Sequence, residues 1–243
     1  MQLIKLDATT STNAYLKQLA QEKQLHDFTV VVSGEQTQGR GQQGNTWTSE
    51  KGKNLTVSIL KYFDSIKINQ GFDLNCLVSL AIYEVLKELS IPDIAVKWPN
   101  DIMSGNKKLC GILIENTLKG QFIKKSIIGF GLNVNQTLFN GLPNATSMKL
   151  ISGVEYDLED VFERIVRRLR YNLVQKYTAN TYLIRQEYEG VLFRKGSLSK
   201  FISTDSGEFK GTITGITSAG QLVVQNVNGG VEKYGFKEIQ FVY

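Results

Sequence analysis

A change in hydrophobic pattern near residue 193 is the feature that most constrains the fold. Before it, two long segments carry apolar residues at helical spacing, 72–89 and 157–174. Runs typical of strands lie around them, at 28–32, 56–60, 109–115 and 126–135. After residue 196, short alternating stretches are separated by turn signals such as Ser206-Gly207 and Asn228-Gly229-Gly230. The pattern predicts helices and strands up to that point and a small β-barrel or sheet after it.

The same change predicts two domains, residues 1–190 and 191–243. A length of 243 residues suits one large domain with a small companion. Because about fifty residues is near the lower limit for independent stability, we expect the second domain to pack against the first.

Cysteine and histidine are scarce. The chain has two cysteines, Cys76 and Cys110, and one histidine, His26. These residues cannot form a zinc site of four Cys or His ligands, nor a framework of several disulfides. Cys76 falls inside the first helical segment, so we expect it in the core. An enzyme of this composition would use lysine, arginine, carboxylates, amides, backbone N–H groups or a bound metal, which are the groups of phosphate chemistry.

The net charge of +5 at pH 7 is small, and charges of both signs are spread along the chain. This pattern does not require a nucleic-acid partner. The segment from Lys97 to Lys125 alone has a net charge of +4. The N-terminal residues lack the features of a signal peptide, and no run of about 18 apolar residues is present. We therefore expect a soluble cytoplasmic protein with no membrane partner.

Residues 39–44 match the pattern G-x-G-x-x-G. In a dinucleotide-binding fold these glycines must directly follow a strand and open a helix. Here polar residues separate them from the preceding strand, and no helix start follows. A flexible ligand-binding loop remains, in which Arg40 can neutralise an anion and Trp47 can stack on a ring. The alternative is a surface loop without function.

A second motif is Lys97-Trp98-Pro99-Asn100-Asp101, followed by Lys108 and Gly111. Proline disfavours helix at the preceding residue, so the motif predicts an extended turn that fixes the Asn100 amide and the Asp101 carboxylate. Lys108 enters a strand whose Gly111 permits close approach of a backbone or ligand. Such groups can orient a nucleotide, a metal or an attacking amine. A solvated turn with surface lysines is the alternative.

Two further elements are weak when taken alone. Thr10-Ser11-Thr12-Asn13 precedes a helical run, and a plain helix N-cap is the commonest explanation for such residues. Gly131-Leu132-Asn133-Val134-Asn135 ends a predicted strand with two amides.

Together, and in this order, these motifs resemble the biotin protein ligase family. The resemblance covers roughly residues 3–136. It implies an α+β catalytic domain related to class II aminoacyl-tRNA synthetases, with a mixed, mainly antiparallel sheet, followed by an SH3-like barrel. Some members carry an N-terminal domain that binds DNA. Because Ser11-Thr12-Asn13 falls so early, we expect the monofunctional form, with no DNA partner.

The resemblance also implies a reaction. Biotin would be activated with ATP and Mg²⁺ to biotinyl-5'-AMP, and then transferred to a lysine of a biotin carboxyl carrier protein, a carboxylase subunit. Catalytic roles would fall to Lys108, Arg40 and Asp101, with Asp101 orienting either the lysine amine or the metal. The biotin-binding residues would be Ser11, Thr12, Asn13, Gln36, Gly39, Arg40, Gly41, Gln42, Lys108 and Gly111. The ATP-binding residues would be Arg40, Trp47, Lys97, Asn100, Lys108 and Asn133. Metal ligands are not specified by any motif.

The loop departs from the family in one respect. Many members have arginines where this chain has Gln42, Gln43 and Asn45. Arg40 and Lys108 would therefore carry more of the anion neutralisation. A lipoate ligase, which shares the fold, is the first alternative function, and a nonenzymatic nucleic-acid-binding module is the second. The sequence leaves the acceptor carboxylase and the choice between a monomer and a homodimer open.

Overall fold

The computed structural model describes residues 2–176, 181–205 and 207–243. The side chains of Gln43, Ser65 and Thr181 fall outside this description, as does Ser206 of one predicted turn.

Seven strands form the first sheet, in the order β1-β2-β3-β7-β6-β5-β4. Strands β1 and β2 are parallel, and all the remaining neighbouring pairs of this sheet are antiparallel. The expected mixed, mainly antiparallel sheet is confirmed. The strands are β1 (Gln2–Thr9), β2 (Thr29–Gln36), β3 (Leu55–Lys67), β4 (Ile94–Lys97), β5 (Asp101–Ser104), β6 (Lys107–Lys119) and β7 (Phe122–Leu132).

Helices cover both faces of this sheet, because its central strands are apolar on both sides. Val30 and Ile59 belong to the larger core, whereas their neighbours Val31 and Leu60 pack with Leu16 of α1 on the opposite face. The larger core contains α2 and α4, which pack on each other. The helices are α1 (Thr12–Glu22), α2 (Gly71–Glu88), α3 (Met148–Ser152), α4 (Leu158–Val174) and α5 (Thr181–Gly190).

Both long predicted helices are confirmed. Helix α4 begins after Asp157, whose carboxylate accepts a hydrogen bond from the Glu159 backbone N–H at 2.9 Å. Helix α5 is joined to α2 by a bidentate ion pair between Arg185 and the fully buried Asp73. Burial raises the pKa of Asp73, and the guanidinium of Arg185 opposes this shift.

The C-terminal residues form a separate five-stranded antiparallel sheet, in the order β11-β10-β9-β8-β12. Among the residues described, no pairing between β11 and β12 closes it into the expected SH3-like barrel. The strands are β8 (Leu198–Ser203), β9 (Gly207–Ile216), β10 (Leu222–Asn226), β11 (Val231–Tyr234) and β12 (Ile239–Phe241).

The two sheets share one apolar core. Phe201, Ile213 and Leu222 of the second sheet belong to the same buried cluster as α2. Trp98 is buried at the junction, where its indole N–H donates to the Gly220 carbonyl at 2.9 Å. The expected packing of the second sheet on the first is therefore present, and the division at residues 190 and 191 stays a prediction.

None of the helices in the described ranges is both long enough and apolar enough to cross a membrane.

The two cysteines provide a test of the core. Both are fully buried, and burial raises the pKa of each thiol well above its usual value. Because the thiolate is the reactive form, we expect iodoacetamide at neutral pH to modify neither residue in the folded protein and both in urea. Mass spectrometry measures the adducts. Rapid modification of Cys76 or Cys110 without denaturant would contradict this packing.

Candidate active site

Three glycines on β6 and β7 form the floor of the site. Gly111 pairs with Gly131, and Gly129 pairs with Leu113 two residues further along the ladder. A Cβ atom at Gly131 would lie 2.3 Å from Trp47 Cε2, and one at Gly129 would lie 2.3 Å from Asn13 Oδ1. Two side chains from distant parts of the chain therefore rest directly on the sheet, where only glycine leaves them room.

The loop of residues 39–47 closes on itself. Trp47 N–H donates to the Gly39 carbonyl at 2.9 Å, and Gly41 N–H donates to the Asn45 carbonyl at 2.7 Å. A 3-10 turn at Gln42–Gly44 lies at its tip. The loop predicted to be flexible thus forms a compact hairpin, which places the Trp47 indole on the glycine floor. The Trp47 indole nitrogen is buried and has no hydrogen-bond partner within the described residues.

A polar network at the start of α1 positions Asn13. The Ser11 hydroxyl caps the helix, as predicted, by accepting from the Ala14 N–H. The Asn13 amide donates to a Glu115 carboxylate oxygen at 2.9 Å, and its carbonyl oxygen accepts from the buried Ser58 hydroxyl at 2.6 Å. Thr12 donates through its backbone N–H to the Gln36 side chain at 2.7 Å.

Ser58 and Glu115 were missed by the sequence analysis. Ser58 is a polar residue between the apolar Val57 and Ile59, and a hydroxyl within a strand expected to be buried was the available signal. Glu115 gave no signal, because the sequence does not reveal its pairing with the start of α1.

Opposite charges meet beside Trp47. Lys108 Nζ lies 2.6 Å from Asp101 Oδ1 and 5.6 Å from the centroid of the Trp47 ring. Asp101 Oδ1 is buried, yet it accepts no hydrogen bond of good geometry from the described residues. Arg40 is exposed, and it forms no ion pair with a carboxylate in the part of the chain that the structure describes. In this part of the site, Lys108 and Arg40 therefore face the single carboxylate of Asp101.

Two cavities meet at this charged pair. Thr46, Trp47, Asp101 and Lys108 line both of them. The first has a volume of about 130 Å³ and the second about 330 Å³, and both open to solvent. Concave sites with convergent polar groups are where small molecules bind.

Most of the predicted site residues line these cavities. The first cavity is lined by Ser11, Thr12, Asn13, Gln36, Arg40, Gly41, Gln42, Trp47, Asn100, Asp101, Lys108 and Gly111. The second is lined by Trp47, Lys97, Asp101, Lys108 and Asn133. Asn100, assigned to ATP by resemblance, therefore lies with the predicted biotin residues, and its amide already donates to the Ile112 carbonyl at 2.7 Å. Gly39 lines neither cavity, and a Cβ atom at this position would lie 2.3 Å from the Trp47 carbonyl oxygen.

Asn133 has an unused acceptor in the second cavity. Its amide N–H donates to the Thr146 carbonyl at 2.9 Å. Its side-chain oxygen is buried without a hydrogen-bond partner among the residues described. A buried acceptor of this kind favours a ligand that brings an N–H donor.

The contact between Gly131 and the Trp47 indole can be tested by adding a methyl group to the glycine. Gly131→Ala should displace the Trp47 indole, because the new methyl group would overlap the ring. We expect the indole ¹H–¹⁵N resonance of Trp47 to shift while that of Trp98 stays in place, with Trp47→Phe assigning the two signals. Gly190→Ala is the matched control, since a Cβ atom at Gly190 meets no atom within 4 Å. An unmoved Trp47 signal in Gly131→Ala would refute the contact.

Comparisons with known proteins identify the family of this chain. The model of the Biotin/lipoate A/B protein ligase family matches residues 5–133. The Bifunctional ligase/repressor BirA of Bacillus subtilis is 29% identical, with 98% of this chain and 73% of that protein covered. The Biotin--[acetyl-CoA-carboxylase] ligase of Paracoccus denitrificans is 28% identical, with 92% and 94% covered.

Solved structures are similar over almost the whole chain. The biotin protein ligase from Aquifex aeolicus in complex with biotin and ATP superposes with a TM-score of 0.80 at 26% identity, covering 99% of both chains. The Leishmania major enzyme in complex with biotinyl-5-AMP has a TM-score of 0.64 at 25% identity, with 96% of this chain and 98% of that chain covered. Because the family match spans more than half of its residues, this chain belongs to the biotin/lipoate A/B protein ligase family.

Proposed function

We propose that this protein is an ATP-dependent biotin protein ligase. It forms biotinyl-5'-AMP and transfers the biotinyl group to a lysine of a biotin carboxyl carrier protein. The observation that carries the proposal is the meeting of two cavities at Lys108, Asp101 and Trp47. Two substrates bound in adjacent cavities can react at that junction.

The first cavity suits biotin. Uncharged polar groups line its wall near α1, and hydroxyls and amides there can pair with the N–H and C=O groups of the ureido ring. The positive charges of Arg40 and Lys108 favour the carboxylate at the other end of the molecule. A polar wall followed by cations matches the order of these groups along biotin.

The second cavity suits ATP. The free oxygen of Asn133 can accept a hydrogen bond from the exocyclic amine of adenine. Phe139 and Leu142 provide apolar surface for a base, and Lys97 and Lys108 provide cations for phosphates. Asn100 would contribute from the first cavity.

In the first step, an oxygen of the biotin carboxylate forms a bond to the α-phosphorus, and the bond from that phosphorus to pyrophosphate breaks. Both reactants are anions, so cations at their junction reduce the repulsion that opposes approach. Lys108 and Arg40 provide that charge. Lys108 then exchanges its contact with Asp101 for the reacting groups.

Mg²⁺ would enter with ATP as part of the substrate. No cluster of three or more acidic, histidine or cysteine side chains occurs in the described ranges, and Asp101 is the carboxylate that lines the cavities. One carboxylate is enough, because Mg²⁺ takes its other oxygens from phosphates and water. When bound, the ion offsets the charge of the phosphates.

In the second step, the carrier lysine amine attacks the biotinyl carbonyl carbon, AMP leaves, and the amine loses a proton. Asp101 Oδ1 is an acceptor without a hydrogen bond of good geometry, so it can orient this amine. The loop of residues 39–47 lies beside the junction and can limit access of water to the mixed anhydride.

Lys108→Ala should slow biotin-dependent pyrophosphate release by roughly 100-fold or more, because the developing charge loses its nearest cation. The fold should survive, since the Lys108 side chain is partly exposed. Lys107→Ala removes the exposed neighbouring lysine and should be close to wild type. Near-normal release by Lys108→Ala would remove this lysine from the mechanism.

The shift in melting temperature on ligand binding distinguishes biotin from lipoate as the substrate. A ligand that binds only the folded state raises the melting temperature, so biotin with MgATP should produce a clear upward shift. Lipoate with MgATP should produce a much smaller one. A larger shift with lipoate would favour the alternative acyl-adenylating ligase.

A further inference from the structure

Lys97 is a cation at the rim of the second cavity that two aromatic rings hold in place. Its ammonium lies 5.1 Å from the centroid of the Phe241 ring and 5.2 Å from that of Tyr243. Among the residues described, Lys97 has no carboxylate partner within ion-pair distance, in contrast to Lys108. The positive charge of Lys97 is therefore oriented but not neutralised.

The two rings come from the C-terminal sheet and not from the sheet that carries Lys97. Phe241 ends β12, and Val242 N–H donates to the Lys200 carbonyl at 3.0 Å. Arg194 donates to the Val242 carbonyl at 3.3 Å, and its guanidinium lies 5.4 Å from the centroid of the Tyr243 ring. These contacts fix the backbone that presents Tyr243 to the cavity it lines.

Aromatic partners and a carboxylate partner would affect the binding of an anionic ligand to Lys97 differently. A ring face attracts an ammonium weakly through its quadrupole and adds no negative charge. A carboxylate would hold Lys97 more firmly. However, its negative charge would repel an incoming phosphate, and the phosphate would have to displace it from Lys97. The two rings therefore restrain the long, flexible chain of Lys97 without tying its ammonium into an ion pair.

We propose that Tyr243 and Phe241 are positioning residues that hold Lys97 for the phosphates of ATP, so that the C-terminal sheet completes the nucleotide cavity. This inference rests on the proposed function, because it takes the occupant of the second cavity to be ATP. Tyr243 is half exposed, so it can be replaced with little loss of packing. It is the better residue to test.

The first test measures KM and kcat in the biotin-dependent release of pyrophosphate. Tyr243→Leu removes the ring, and we expect KM for ATP to rise about two- to fivefold, the range of an exposed cation–π contact. The kcat and the KM for biotin should stay close to wild type. Tyr243→Phe keeps the ring face and should restore the wild-type KM for ATP. An unchanged KM for ATP in Tyr243→Leu would overturn the inference.

A double-mutant cycle separates positioning of Lys97 from a general effect on the sheet. Lys97→Met should raise KM for ATP by roughly tenfold or more. If Tyr243 acts through Lys97, adding Tyr243→Leu to that variant should cause no further rise. The same two- to fivefold rise in both backgrounds would show an independent role for the ring and would overturn the inference.

Phe236→Leu is the matched control. Phe236 belongs to the same C-terminal segment and is also half exposed, but its ring packs on Trp98 at 5.3 Å and not on Lys97. Its KM for ATP should equal that of wild type, and a rise as large as that of Tyr243→Leu would overturn the inference. Wild-type protein without biotin-dependent pyrophosphate release would instead refute the proposed function.

Discussion

The site depends on the absence of Cβ atoms at three positions in the middle of the first sheet. Antiparallel pairing of β6 with β7 sets Gly111 opposite Gly131 and leaves Gly129 on the same face. Asn13 from α1 and Trp47 from the loop of residues 39–47 occupy the space above these glycines. Two segments distant in sequence thereby meet on one surface, and both cavities lie around them.

The charges above that floor contribute little to stability, and we propose that they serve binding and chemistry. Lys108 is 37% exposed in its side chain, and an ion pair at such a position adds little to the free energy of folding. The weak ion pair can be exchanged for a contact with a ligand, because Lys108 can leave Asp101 for an anionic group. Arg40 and Lys97, which have no carboxylate partners among the described residues, add cations on either side. This distribution suits two anionic substrates that must approach each other.

Local patterns predicted the elements with strong periodicity and missed those that depend on distant contacts. Helices α2 and α4 were clear, since α2 is apolar on most of its sides and α4 buries one apolar face, in each case over four or more turns. Strands β4 and β5 have only four residues each, and β1 lies at the edge of the sheet with much of its length exposed, so none was predicted. The motifs located most of the site, but the contacts of Asn13 with Ser58 and Glu115 depend on strand register, which no motif encodes. The position of Asn100 in the first cavity depends on its backbone pairing with Ile112.

We propose that activation and transfer both take place on this chain, with biotin and ATP bound in adjacent cavities. The most direct measurement mixes the protein with biotin, MgATP and an unmodified biotin carrier domain, and follows the intact mass of the carrier. We expect a mass increase of one biotinyl group on a single lysine of the carrier, dependent on both biotin and ATP. A competent acceptor whose mass does not change under these conditions would contradict it.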